Sequence, residues 1–150
     1  MSEILPLEIV EPDIQKCLDH IFKSEKVRRT CLNCGCQTGT KSTKFISDPS
    51  TLILLLKKYE FHQATKEYTK KHDPVVCPQE LTLPSGSVFT ISDVINHNGE
   101  TPKEGHYNMM LYDKINELYF SLDDMNITTH SSIPKNTNGM HYVAVYLKTE

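Results

Sequence analysis

Apolar positions recur at helical spacing in one clear place. Ile14, Cys17, Leu18, Ile21 and Phe22 form a single stripe, with Lys16, Asp19, His20 and Lys23 on the wet side. Pro12 or Asp13 can start this helix. The rest of the pattern is that of strands. Val27 to Asn33 leads into a Cys-Gly-Cys turn, and Lys41 to Ile46 follows. Thr51 to Lys57 is apolar on successive residues, which predicts a strand buried on both faces. Residues 62–78 are polar and lysine-rich and are expected to form an exposed loop insertion. Four strands close the chain: Val88 to His97, His106 to Asp113, Glu117 to Asp123 and Met140 to Lys148. Short connections make them antiparallel neighbours. The class is α+β, mainly antiparallel sheet with an N-terminal helix.

Composition narrows the picture. The chain has 150 residues, 38% of them hydrophobic, enough for one domain with a core. A net charge of -3 and a pI near 6.2 give no basic footprint, so no nucleic acid partner is expected. No basic leader with a long apolar stretch opens the chain. The apolar run Leu52 to Leu56 is far too short to cross a bilayer, so no membrane partner is expected either. The expected location is cytoplasmic and/or nuclear. Cys17, Cys31, Cys34, Cys36 and Cys77 are odd in number and partly clustered, which in a reducing compartment favours metal or free thiols over disulfides.

The chemistry sits on the closing strands. A histidine base needs one ring nitrogen near the group it deprotonates and a partner that fixes its tautomer on the other. If the hairpin of residues 106–123 closes symmetrically about Lys114 and Ile115, His106 lies directly opposite Asp123. Opposed residues have Cβ atoms roughly 4.5–5.5 Å apart, within reach of a hydrogen bond. Asp124 would then face the other way. A one-residue slip in register swaps these roles. By spacing alone, His106 also reads as a solvent-exposed strand histidine and Asp123 as an ordinary strand-end turn residue.

Five segments, in order, add a wider pattern. They are Leu52 to Tyr59 (LILLLKKY), Val88 to Gly99 (VFTISDVINHNG), Glu104-Gly105-His106-Tyr107, Tyr119 to Ile127 (YFSLDDMNI) and Met140 to Tyr146 (MHYVAVY). They resemble the C-terminal half of the ubiquitin-specific protease catalytic domain, a papain-like cysteine protease fold of which palm and fingers would be present. The resemblance implies a single domain segment over residues 1–150. It would hold a remnant fingers hairpin at 31–46, the loop insertion at 62–78 and a palm sheet at 88–150. It implies that His106 is the general base and Asp123 its orienter. Asp124 would support an oxyanion or a water. Gly105 would allow close approach of an extended substrate tail. The implied reaction is hydrolysis at the C-terminal glycine of ubiquitin, with ubiquitin or a ubiquitinated protein as partner and no cofactor for catalysis.

The chain departs from that family in two respects. The Gly-Asn-Thr-Cys nucleophile box is absent. Cys17 lies on the apolar helix stripe and Cys77 lacks the residues that build an oxyanion hole. No nucleophile is therefore assigned in this chain, and a complementary N-terminal half-domain becomes a possible partner. The alternative function is a catalytically inactive ubiquitin-binding module. A structural zinc-ribbon interaction domain is a third. Cys31 and Cys34 have zinc-knuckle spacing, but the family ribbon uses two such pairs and only one is present. Structural zinc thus has an incomplete ligand set, which Cys36, His20 or His62 would have to extend.

Overall fold

The computed structural model describes residues 2–133 and 139–149. Of the expected palm segment, residues 134–138 and 150 lie outside the described residues, as does residue 1.

The helix forms where the apolar stripe places it: α1 spans Ile14–Phe22. Asp13 is its N-cap, and its carboxylate accepts from the Lys16 backbone amide at 3.2 Å. Ile14, Cys17 and Leu18 are buried.

One large sheet organises the rest. It contains β1 (Ser2–Leu7), β4 (Thr51–Leu56), β7 (Glu80–Thr82), β8 (Val88–Thr101), β9 (Glu104–Asp113), β10 (Leu118–Asp123), β11 (Asn126–His130) and β12 (His141–Lys148). The order is β1-β4-β12-β8-β9-β10-β11, with β7 pairing β8 beside this path. All pairs are antiparallel except β1 with β4. Two small hairpins stand apart: β2 (Glu25–Arg28) with β3 (Thr38–Lys41), and β5 (Tyr59–His62) with β6 (Glu67–Lys70).

The core lies on one face of the sheet. Leu52, Leu54, Leu56, Ala144, Tyr146, Val94 and Met110 are buried there in one cluster with the stripe of α1. The opposite face is less covered. Leu55, Val143, Ile95, Met109, Leu122 and Ile127 succeed one another across six paired strands. The first five are half-buried and Ile127 is exposed.

Three expectations need correction. Strand β4 is not closed on both faces: Leu52, Leu54 and Leu56 are fully buried, while Thr51, Ile53 and Leu55 are half-buried. The hairpin expected at 31–46 instead has its strands at 25–28 and 38–41. Its strands end early because the cysteine segment forms its own turn. The Cys31 amide bonds Cys36 O at 2.7 Å and the Gly35 amide bonds Cys31 O at 2.9 Å, which spends backbone groups a longer ladder would need. Gly35 takes φ 72°, the left-handed conformation such a turn requires.

Residues 62–78 are not simply an exposed loop. They begin in the β5–β6 hairpin, and Val75 and Cys77 are buried in the core. Buried Lys58 donates its Nζ to the Asp73 carbonyl and pins this segment. The polar surface pattern hides the anchoring, because much of it runs through backbone groups: the Val76 amide donates to Pro12 O, its carbonyl accepts from the Ile14 amide, and the Pro78 carbonyl accepts from the Tyr146 hydroxyl.

Candidate active site

The turn between β9 and β10 sets the register. Asp113 Oδ1 accepts from the amides of Ile115 (2.9 Å) and Asn116 (3.3 Å), and Asn116 Nδ2 donates to Asp113 Oδ2 (2.6 Å). Glu117 closes the turn at φ 54°. The four-residue loop 114–117 makes Leu118 face Asp113 and Leu122 face Met109. The centre thus lies one residue later than symmetric closure about Lys114 and Ile115 would put it. In this register Asp123 falls next in line to Asn108, not to His106. The expected direct opposition is therefore wrong by two residues. Because the displacement is even, both side chains keep the same face.

The diagonal neighbour remains within reach, since such positions lie roughly 7–8 Å apart at Cα. His106 Nε2 and Asp123 Oδ1 are 2.5 Å apart. Both side chains are about half exposed, 47% and 46%. The hydrogen bond that His106 donates to the Asp123 carboxylate raises its pKa above the usual imidazole value, and the charges of Asp123 and then Asp124 add to it. With Nε2 engaged by a carboxylate, Nδ1 is the nitrogen left for another proton exchange.

Asp124 does not turn away as alternation predicts. It sits in the tight turn between β10 and β11 at φ 52°. The turn brings its carboxylate back, so that ligand atoms of His106, Asp123 and Asp124 lie within 4.8 Å of one another.

Gly105 has an internal reason to be glycine. It adopts φ 151°, and a Cβ there would stand 2.5 Å from His97 Nε2 and 2.8 Å from Asn98 O. The backbone packs against a buried imidazole, so the close approach visible here is to His97. That histidine shares a 2.5 Å hydrogen bond between Nδ1 and the Tyr59 hydroxyl, and its ring lies 4.5 Å from that of Tyr107. Burial, then Lys70, lowers its pKa. It is a packing residue beneath the glycine.

A buried polar row missed in the sequence extends along the same face. His141 Nδ1 donates to Asn96 Oδ1 at 2.7 Å, and Asn96 Nδ2 donates to Asn108 Oδ1 at 2.8 Å. Asn108 is the residue two positions from His106. Burial, with Lys58 second, pushes the His141 pKa down to about 4. The signal available in sequence was weak: two asparagines and a histidine on otherwise apolar strands.

No cysteine among the described residues is hydrogen-bonded to His106. Cys17 is buried in α1 and its thiol donates to Glu11 O at 3.2 Å. Cys77 is buried, and burial pushes its thiol up to about 12. Cys31, Cys34 and Cys36 are exposed on the β2–β3 hairpin tip.

The cysteine knuckle fits only half of a structural zinc site. Zinc of this kind takes four ligands. Among the described residues, no histidine, cysteine or carboxylate atom joins Cys31 and Cys34 to make three within 4.8 Å. Cys36, His20 and His62 therefore do not complete the set.

A largely antiparallel sheet, one packed helix and a histidine–aspartate pair on neighbouring strands define part of a papain-like cysteine peptidase fold. The chain matches the family "Ubiquitin carboxyl-terminal hydrolase" over residues 10–146, and it belongs to that family. It is similar to probable ubiquitin carboxyl-terminal hydrolase 8 of Schizosaccharomyces pombe, 30% identical over 127 residues. That match covers 82% of this chain and 28% of the relative. Human ubiquitin carboxyl-terminal hydrolase 37 is 38% identical over 72 residues, covering 48% of this chain and 7% of the relative. The fold is shared with a chain of the SAGA DUB module of Ubp8, Sgf11, Sus1 and Sgf73 bound to monoubiquitin. There the TM-score is 0.74 at 21% identity, over 99% of this chain and 35% of that one. The chain thus spans only about a third or less of the length of these relatives.

Proposed function

We propose that this chain supplies the base and its orienter to a deubiquitinase, for thiol-dependent hydrolysis of the isopeptide or peptide bond after ubiquitin's C-terminal glycine. The observation that carries the reading is the half-exposed His106 imidazole, held at Nε2 by Asp123. His106 takes the proton of a nucleophilic thiol and later delivers it to the leaving lysine amine, while Asp123 holds the ring and stabilises the imidazolium. Asp124 adds negative charge beside the ring and helps to order a water or the oxyanion environment.

The thiol comes from a complementary segment. Cys17 and Cys77 are buried, and Cys31, Cys34 and Cys36 belong to a separate hairpin. The reading puts the protein in the cytoplasm or nucleus, where its thiols stay reduced.

The test is complementation. The chain is mixed with an N-terminal segment of a related protease that bears the nucleophile, and cleavage of a ubiquitin C-terminal amide is followed. Cleavage that disappears in His106→Ala supports the reading. A ubiquitin probe with a thiol-reactive C-terminus should label nothing on the chain alone, and labelling of Cys17 or Cys77 would contradict it.

The absence of a thiol at His106 also favours a second reading, a non-catalytic ubiquitin-binding module. That reading predicts ubiquitin binding by the chain alone and no cleavage in the complemented mixture.

A further inference from the structure

A polar row crosses five strands of the large sheet and runs through the candidate site. His141 stands opposite Asn96, Asn96 opposite Asn108, and Asp123 opposite Asn126. Asp123 follows Leu122, whose partner is Met109, so it falls in line with Asn108 on the same face. Exposure rises along the row. His141 and Asn96 are buried, Asn108 and Asp123 half-buried, and Asn126 exposed.

The buried end gives the row a direction. His141 Nδ1 donates to Asn96 Oδ1, which leaves Asn96 Nδ2 to donate to Asn108 Oδ1. The Asn108 oxygen is thereby engaged, and its Nδ2 is the donor left to face onward. Asp123 gives one oxygen, Oδ1, to His106 Nε2. Among the described residues no hydrogen bond engages Asp123 Oδ2 or Asn108 Nδ2. An amide donor and a carboxylate oxygen thus stand unpaired, in line, on neighbouring strands. Same-face positions so placed have Cβ atoms roughly 4.5–5.5 Å apart, close enough for a turn of the Asp123 side chain to join them.

We infer that Asn108 is a positioning residue for the candidate base. Its Nδ2 takes the second oxygen of Asp123 and holds the carboxylate toward His106 Nε2, so that the proton of the neutral ring stays on that nitrogen. The inference rests on the reading of His106 as base and Asp123 as orienter. The carboxylate needs such a hold, because the terminal torsion of an aspartate is broad and this side chain is 46% exposed. The bond to His106 alone lets carboxylate and ring turn together. Asn108 is already fixed by a bond to a buried amide, so its donor is ordered before Asp123 arrives.

The test compares Asn108→Val with Asn108→Thr in the full chain. The two side chains have nearly the same shape, and only threonine carries a hydroxyl that accepts from Asn96 and donates to Asp123. The readout is the tautomer of the neutral His106 ring, from the nitrogen shifts of a nitrogen-15-labelled sample, with the signals assigned by their loss in His106→Gln. Asn108→Val should raise the share of rings protonated on Nδ1, and Asn108→Thr should return it to the wild-type value. Asn126→Ala, on the exposed side of Asp123, should leave it unchanged. A wild-type pattern of backbone amide signals checks the fold of each variant. In the complemented enzyme Asn108→Val should lower kcat roughly tenfold with KM unchanged, the scale of one lost hydrogen bond to a charged group, and Asn108→Thr should recover most of it. One tautomer share in wild type, valine and threonine variants overturns the inference. So does an equal shift in valine and threonine variants, which marks lost packing and not a lost donor, or a shift in Asn126→Ala. If the wild-type mixture cleaves nothing, the deubiquitinase reading fails, while the tautomer comparison still decides whether Asn108 holds Asp123.

Discussion

His106 and His141 share one face of one sheet, and each gives a ring nitrogen to a side-chain oxygen. The partner of His106 is Asp123 at 2.5 Å, and that of His141 is Asn96 at 2.7 Å. Two things differ. The oxygen beside His106 carries a charge and the ring is half exposed, so protonation is favoured. The oxygen beside His141 belongs to a neutral amide and the ring is fully buried near the Lys58 cation, so protonation is opposed and the pKa falls to about 4. Bond length therefore says little about a histidine's role. Charge of the partner and access to water decide whether an imidazole can cycle a proton or only brace the strands.

The largest expected effect breaks the pair that cycles. In the complemented enzyme, His106→Ala should lower kcat by about a thousandfold, the usual scale for losing a general base. His141→Gln should leave kcat within a few-fold, because that ring is linked to the site indirectly, through Asn96 and Asn108. If both substitutions proved equally damaging, the contrast between proton carrier and brace would collapse.

The next effect is on stability in acid, and its sign follows from the depressed pKa of His141. Above pH 6.5 the ring is neutral in both states and its buried contacts are fully available. As pH falls below the unfolded value near 6.5, the unfolded chain takes up a proton that the folded chain refuses until about pH 4. Stability is lost across that window, by about 3 kcal/mol at its lower end. Urea unfolding at pH 7 and pH 4 should show wild type losing more than His141→Gln by about that amount. Equal losses would mean that His141 is not held neutral.

Gly105→Ala comes third. The added methyl would strike the His97 ring and the Asn98 carbonyl at a backbone φ of 151°. The expected cost is about 2 kcal/mol in the same unfolding measurement. A neutral result would return Gly105 to the simpler role of leaving room for a substrate tail.

How far the sequence reaches differs between these regions. The stripe of α1 and the alternating closing strands report directly on which side faces the core, so their bounds are legible to within a few residues. The edge strand β1 is not, since Pro6 argues against a strand and is tolerated there only because the edge leaves an amide position unpaired. The β9–β10 register turned on Asp113 capping two amides, a local contact that the apolar pattern does not encode. The pairing of His106 with Asp123 was legible because a two-residue displacement preserves the face. The position of Asp124 was not, because a left-handed residue in a turn escapes strand alternation. The row His141-Asn96-Asn108 stayed hidden because buried polar residues look like surface residues until their partners are known.

The smallest effect isolates what Asp123 does to His106. Asp123→Asn removes the charge but keeps an oxygen near the ring, so the imidazole should titrate lower than in wild type by NMR of its carbon-bound protons. Asp124→Asn should produce a smaller displacement in the same direction, because Asp124 acts only through its charge while Asp123 also bonds the ring. Neither change should move the thermal transition much, since an exposed ion pair contributes little to folding. The elevated pKa means that any stabilisation from the pair is fully present below the unfolded histidine value, as long as Asp123 stays ionised. It is lost as pH rises through the higher folded value. Lower titration without loss of stability would mark Asp123 as a group that tunes and orients the base. An unchanged titration in Asp123→Asn would instead make the 2.5 Å contact incidental and leave His106 an ordinary surface histidine.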